Sequence, residues 1–452
     1  MSEGSLGAPE RHPIRWQDPE YYNDAKIDAE LRRQFDVCHG CRRCHNLCDS
    51  FPRLFDLIDE AESMELDTVN SGDFKHVVDA CTLCDMCFMT KCPYVPPHEF
   101  NLDLPHLMLR YRAAEFKKGA SGFVKKQISE TDRNGKIAGA IAPMTNWATR
   151  TENGLTRPVL HALAGIDKNA ALPKFHSKTL IARQPSDHPE VDTSVLSKGR
   201  KAVVYATCFI NYNDPEMGND ALQVLVRNGV QTEVLHPVCC GMPKLEHGDI
   251  EGVAANARRV SASFKPWIEK GYDVIALTPS CSLMLKSEWP LILSDDENIK
   301  LLSGATYDLS EYIVEIAKEK GLADGMQPLD GKVTVHLACH SRAQNMGQKA
   351  AELLRLIPDA DVDVVERCSG HGGSWGMMKN NFSTAMKMGR PVVRKTVESA
   401  PTYVVSECPL AGPHILQGLN RNTENEEETF QIPRCVPHPI QLLAAAYRKG
   451  ES

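Results

Sequence analysis

Two cysteine runs constrain this chain more than any other feature. The first is Cys38-x2-Cys41-x2-Cys44-x3-Cys48, and the second is Cys81-x2-Cys84-x2-Cys87-x4-Cys92-Pro93. Three cysteines at two-residue intervals can wrap one face of an iron–sulfur cube, while the fourth points away and can complete a second cube. On that logic Cys38, Cys41, Cys44 and Cys92 hold one [4Fe–4S] cluster, and Cys81, Cys84, Cys87 and Cys48 hold the other. The competing use of such pairs is zinc, which also takes four ligands per site. Zinc motifs rarely set three cysteines at successive two-residue gaps, and they have no need of an exchanged fourth. Disulfides suit a reducing compartment poorly. Two irregularities remain. The second run has four residues before its last cysteine, so Phe88–Lys91 has to bulge, and the first run lacks an immediate proline, with Pro52 four positions on.

The compartment follows from what surrounds these runs. The N-terminus, MSEGSLGAPERHPIRW, has no apolar core of a secretory signal. The longest apolar stretches, such as Ala138–Ala142 and Val274–Leu277, fall far short of the roughly 20 residues of a membrane span. The expectation is a cytoplasmic protein without a transmembrane segment, peripheral at the inner membrane face at most. Sixteen cysteines there argue for metal ligation. A net charge of -8 gives nucleic acid no basic footprint.

At 452 residues the chain needs more than one core. The expected architecture is multi-domain: an N-terminal α-helical ferredoxin-like domain followed by two duplicated α/β lobes with parallel sheets. Residues 1–30 form a lead-in, 31–118 the two-cluster ferredoxin domain, and 119–200 an irregular connector. Residues 201–325 and 326–452 form the first and second cysteine-rich lobes. Between the cysteine runs, Leu54, Leu57, Ile58 and Ala61 follow helical spacing, and Leu104–Lys118 reads as a helix. The connector is rich in Gly, Pro, Asn and Thr, as in RQPSDHPEVD.

From Lys201 short β-branched runs alternate with helical stretches, the pattern of parallel strands joined by right-handed crossovers. The runs are AVVYATC, VQTEVLH, DVIALTPSC, VTVHLAC, DVDVVERC and TYVVSEC. They carry a repeat. Cys339, Cys368 and Cys408 follow Cys208, Cys239 and Cys281 by 131, 129 and 127 residues. Cys208, Cys281 and the pair Cys239-Cys240 would gather at the carboxyl edge of one sheet, where open α/β sheets place functional loops. Gly241 then lets the backbone turn sharply.

This layout resembles the heterodisulfide reductase–related iron–sulfur proteins with cysteine-rich (CCG-type) domains. Within them it is most similar to the group that includes the cysteine-rich subunit of anaerobic glycerol-3-phosphate dehydrogenase and the iron–sulfur subunit of glycolate oxidase. The resemblance runs from about Asp36 to Leu443. It implies an electron-transfer subunit that takes electrons from a flavoprotein dehydrogenase partner toward quinone or another acceptor, rather than a stand-alone enzyme. The fullest members carry five cysteines per lobe. Here the first lobe has Cys208, Cys239, Cys240 and Cys281, with Thr278 or Met284 at the missing position, and a further cluster there stays open. The second has Cys339, Cys368 and Cys408, with Ser369 and Ala411 in the missing places, too few for a full cluster. His236, His336, His340, His371 and His414 lie near these cysteines; each is a ligand, a proton donor or a partner of nearby backbone. In Ser369-Gly370-His371-Gly372-Gly373 the glycines either cradle a cofactor or make a tight turn. No G-x-G-x-x-G follows a strand, so flavin or NAD belongs on a partner. The alternative is a disulfide or persulfide reductase working through a first-lobe cluster, and a sensor or scaffold ranks last.

Overall fold

The computed structural model describes residues 9–184, 199–422 and 430–450. Parts of the expected lead-in (1–8) and connector (185–198, including most of RQPSDHPEVD) lie outside the described residues. The chain is mixed α/β and divides into two compact units. One comprises residues up to Ser129 together with Gly241–Ala255 and Glu288–Asp296. The other comprises Glu130–Cys240, Asn256–Ser287 and the chain from Glu297 onward.

In the first unit the described secondary structure is helical. The helix Asp24–Cys41 is capped by Asn23, whose side chain accepts from the Lys26 amide, and it carries Cys38 and Cys41 on its last turn. Helix Ser50–Asp59 buries Phe51, Leu54, Phe55 and Ile58 on one face, and Phe74–Ala80 buries Phe74, Val77 and Val78. Turns and two short 3-10 helices, Leu66–Thr68 and Ser71–Asp73, separate these two. Helix Leu104–Lys117 begins at Asp103, which caps the His106 amide.

The second unit holds two parallel sheets. Strands β1 (Lys201–Tyr205), β2 (Gln231–Leu235), β3 (Asp273–Ala276) and β4 (Thr306–Asp308) run in the order β2-β1-β3-β4. Strands β5 (Val333–His336), β6 (Val362–Val365) and β7 (Tyr403–Ser406) run β6-β5-β7. The central strands β1 and β5 are buried almost throughout, as parallel strands covered on both faces must be. The six β-branched runs are six of these strands. β4 escapes notice in the sequence because it is three residues long, with one β-branched residue. One apolar core serves both sheets, joining Val204, Leu225 and Ile313 with Val335, Leu353 and Leu443. The helix Pro439–Lys449 closes it, and Tyr447 donates to the Ala323 carbonyl at 3.1 Å.

The stretch expected to be irregular contains the short helices Phe123–Ser129, Thr131–Ala140, Ala142–Thr149 and Thr156–Leu163. Their glycines and threonines hide the helical period, but two of the glycines allow close packing. Gly135 lies against the ring of Tyr212, where a Cβ would clash.

A buried charge cluster fixes the second cysteine loop. Arg11 donates to Asp85 at 2.7 Å, to Glu288 at 2.9 Å and to Asp103 at 3.0 Å, and stacks on Phe88 at 4.4 Å. Asp85 lies between Cys84 and Cys87, and Phe88 follows Cys87. Arg11→Ala would take the cation from the nearly buried Asp85 side chain and one of the partners from Glu288, which keeps His106 at 3.1 Å. It is expected to cost about 3–5 kcal/mol, read as a lowered melting temperature of anaerobically purified protein. An unchanged melting curve contradicts this assignment.

Candidate metal centres

The first cysteine run begins on a helix and leaves it abruptly. Arg42 adopts a left-handed conformation (φ 50°) after Cys41 and turns the chain toward Cys44. Cys38, Cys41 and Cys44 then border a cavity, and Cys92, from the other run, borders it too. Phe51, Tyr94 and Leu102 supply apolar wall, and Arg43 and Lys91 supply charge. Burial pushes the Cys38 thiol well up, and Cys92, Cys44 and Cys41 push it further. Burial, then Cys92 and Cys41, raise Cys44 to about 12.

The second run starts where helix Phe74–Ala80 ends, at Cys81. Leu83 and Asp85 both take positive φ, at 49° and 62°, which folds the loop tightly enough to turn its cysteines inward. The extra residue before Cys92 is absorbed by a single π-helical turn, Cys87–Lys91, with the Cys92 amide donating to the Cys87 carbonyl at 2.8 Å. Cys87 is raised well up by burial, then by Cys84, Cys81 and Cys48. Cys48 is raised by burial, then by Cys84 and Cys81. The structure thus brings Cys92 to the first run's cysteines and Cys48 to the second run's.

Thiols raised by burial and by one another, as Cys38 and Cys44 are by Cys92 and Cys41, do not ionise together unless something positive sits among them. Backbone amides already face them as donors to sulfur: Ser50 and Phe51 at Cys48, Tyr94 and Val95 at Cys92, Leu83 at Cys81. An all-sulfur donor set with amide hydrogen bonds suits a soft metal or an iron–sulfur core. The residues fit such a group. Cys38, Cys41, Cys44 and Cys92 border a void, and among the described residues no group of three or more His, Cys, Asp or Glu is placed to hold a single metal ion.

In the first lobe the cysteines meet at the carboxyl edge of the sheet. Cys208 follows β1, Cys239 and Cys240 follow β2, and Cys281 follows β3. Cys208 Sγ lies 3.5 Å from Cys239 Sγ, and Cys281 Sγ lies 3.2 Å from Cys240 Sγ. Cys240 also pairs with Cys239, and its thiol is raised by Cys239, Cys281 and burial. The turn presenting Cys208 is strained: Thr207 holds φ 54° and ψ 161°, a region that costs a non-glycine residue about 1–3 kcal/mol. Its hydroxyl meets that of Thr278 at 3.2 Å. Thr278 and Met284, the two candidates for where the resemblance places a fifth cysteine, are both buried. Gly241, at φ 87°, makes the turn after the pair.

Three residues here were not visible as site residues in the sequence. Asp132, from the connector, accepts from the Cys239 amide at 2.6 Å through one oxygen and meets His236 Nε2 at 2.6 Å through the other. Tyr205 stacks on His236 and donates to the Val238 carbonyl at 2.6 Å. Asn256 donates to the Cys239 carbonyl at 3.0 Å. No spacing rule links Asp132 to a loop so distant in sequence. Tyr205, the last residue of β1, had a signal in its strand-end position.

The second lobe is different. Cys368 accepts from the Gly370 amide at 3.3 Å. Burial raises Cys408 to about 11, with Glu407 and the first lobe's Cys281 adding to it. Cys339 and His340 open the helix Cys339–Ala343. His336 is spent on Ser406 and the Arg367 carbonyl, both at 3.0 Å, and burial lowers it to about 4. His371 accepts from the Gly373 amide at 3.2 Å and meets the His414 ring edge-on. Burial lowers them to about 3 and about 4. The glycine run is a packing turn: a Cβ on Gly370 would collide with the backbone of helix Phe382–Ser399.

Residues 202–286 and 333–411 match the Cysteine-rich domain (CCG) family. The chain is 29% identical over 333 residues to a subunit of the anaerobic glycerol-3-phosphate dehydrogenase of Escherichia coli (strain K12), covering 71% of this chain and 76% of that protein. It is 27% identical over 218 residues to lactate utilization protein A of Bacillus pumilus, covering 46% and 87%. Over 459 residues it is 24% identical to a subunit of the CoM/CoB fumarate reductase of Methanothermobacter marburgensis, covering 95% and 74%. The chain is homologous to these proteins.

Replacing Asp132 with alanine strips acceptors from a buried amide and a buried imidazole. The expected cost is about 1–3 kcal/mol, with faster alkylation of Cys239 in metal-free, reduced protein. Unchanged melting and alkylation would show that Asp132 does not hold this loop.

Proposed function

We propose that this chain is an iron–sulfur electron-transfer subunit with two [4Fe–4S] clusters in an α-helical, ferredoxin-like domain at 31–118. Cys38, Cys41, Cys44 and Cys92 hold one cluster, and Cys81, Cys84, Cys87 and Cys48 hold the other. The connector (119–200) leads to cysteine-rich lobes at 201–325 and 326–452. The observation that carries this reading is Cys92 bordering one cavity with Cys38, Cys41 and Cys44. A cube with one thiolate per corner iron needs sulfurs spread around a void, which a single zinc ion does not.

When bound, such clusters accept and release single electrons. The chain's own contribution is positional. The amides at Cys48, Cys81 and Cys92 favour the ionised sulfurs, and hydrogen bonds of this kind tune cluster potential. Phe51, Tyr94 and Leu102 limit water at the first set. Two relatives are named as subunits of a dehydrogenase and a reductase, which supports a redox partner. We assign that partner as a flavoprotein dehydrogenase in the cytoplasm, with quinone or another carrier as acceptor.

The four clustered thiols of the first lobe favour a second reading, a disulfide or persulfide reductase with a further cluster on Cys208, Cys239, Cys240 and Cys281. Iron and acid-labile sulfide counts on anaerobically purified protein separate the two. About eight of each per chain means two cubes, and about twelve means that the first lobe is filled. Zinc without sulfide overturns both. Cys240→Ser should leave electron transfer from a reduced donor dye to an acceptor dye unchanged under the first reading, and abolish disulfide turnover driven by the reduced dye under the second.

A further inference from the structure

The helices between residues 131 and 163 are built inside out. In Thr156–Leu163 the one charged residue, Arg157, is 2% exposed. Its guanidinium is spent on four backbone carbonyls, those of Thr149, Asp167, Lys168 and Ala170. That staple fixes the helix with its apolar residues outward. Leu155 and Leu163 are 77% and 78% exposed, with Val159 between them at the same four-residue interval. Ile137, Met144 and Trp147, from the two preceding helices, and Ile141, between them, are exposed as well. Ile137–Thr149 contains no charged residue. Large exposed apolar side chains are otherwise scattered among the described residues, and a concentration of this kind marks an interaction site.

The flanking charge says what covers it. Arg133, Lys136, Arg150, Lys168, Lys174 and Lys178 are exposed, and Glu152 is the exposed acid among residues 131–178. This is a cationic stretch in a chain whose net charge is -8. A second copy docking by the same face would set these cations against one another. Short amphipathic helices with Trp, Leu and Ile outward and Lys or Arg at their flanks are the pattern of segments that lie in a membrane interface, and anionic headgroups attract such cations. No described helix is long and apolar enough to cross a membrane.

We propose that the face formed by residues 137–163 docks the protein onto an anionic bilayer surface, with Leu155, Val159 and Leu163 entering the headgroup–acyl boundary. The proposal is independent of the redox reading, because vesicle binding is measured without reference to iron.

The test is co-sedimentation of anaerobically purified full-length protein with phosphatidylcholine vesicles containing one quarter phosphatidylglycerol, beside pure phosphatidylcholine vesicles. Binding to the anionic vesicles is expected, weaker by about tenfold on the neutral ones. The exposed pair L155S/L163S should weaken binding by about tenfold or more while leaving the melting curve unchanged. If that pair disturbs folding, Trp147→Phe provides a second reading, since the blue shift of tryptophan emission on anionic vesicles should shrink in this variant. No binding to anionic vesicles overturns the proposal. So does equal binding by L155S/L163S, or a wild-type dimer that this variant abolishes without any vesicle binding.

Discussion

Mutual repulsion among buried sulfurs is the constraint on which the N-terminal unit depends. Each thiol around the first cavity for which a shift is resolved is raised by burial and by its neighbours, so the site has little reason to persist as four free thiolates. The surroundings nonetheless anticipate negative sulfur. Amides point at Cys48, Cys81 and Cys92, and Arg43 and Lys91 line the first cavity. Cys92 lines the first cavity with Cys38, Cys41 and Cys44, and Cys48 feels Cys84 and Cys81, so on the proposed assignment each site draws on both runs. Arg11 adds a mechanical tie, binding the loop of Cys84 and Cys87 to Asp103 and Glu288 through buried charge.

The lobes follow a different logic. Parallel strands end together at one edge, and each of the six strand-end cysteines or cysteine pairs emerges there. Both matched ranges carry that edge, with different residues on it. In the first lobe the sulfurs of Cys208 and Cys239, and of Cys240 and Cys281, lie within 3.5 Å and 3.2 Å, with strain at Thr207 and an acidic clamp at Asp132. In the second, Ser369 follows Cys368 where the first lobe has the pair Cys239-Cys240, and His336, His371 and His414 are lowered by burial. The two edges therefore differ in what they gather, paired sulfurs in the first lobe and buried histidines in the second.

Much of this was legible in the sequence because periodicity and spacing are local properties. The β-branched runs ending at Cys208, Cys281, Cys339 and Cys408 are strands because both faces of β1, β3, β5 and β7 face apolar layers. The need for an extra turn before Cys92 was legible too, though not that a π-turn meets it. What escaped depends on tertiary approach. Asp132 reaches Cys239 only because its helix packs on the helix Cys208–Tyr212, and Gly135 permits that approach against Tyr212. The helices of the connector were hidden because their apolar residues face outward, so the stripe that usually betrays a core-facing helix carried a different meaning. Arg157, buried on carbonyls, likewise reads as a surface residue until its partners are seen.

The proposed exchange of fourth ligands can be tested directly by differential alkylation of Cys92→Ser under argon, with mass-spectrometric mapping of the labelled cysteines. Loss of that thiolate should weaken only the cluster held with Cys38, Cys41 and Cys44. Those three are expected to become labelled while Cys48, Cys81, Cys84 and Cys87 stay protected. Labelling of Cys81, Cys84 and Cys87 instead, with Cys38, Cys41 and Cys44 protected, would mean that each run closes its own site and that no ligand is exchanged.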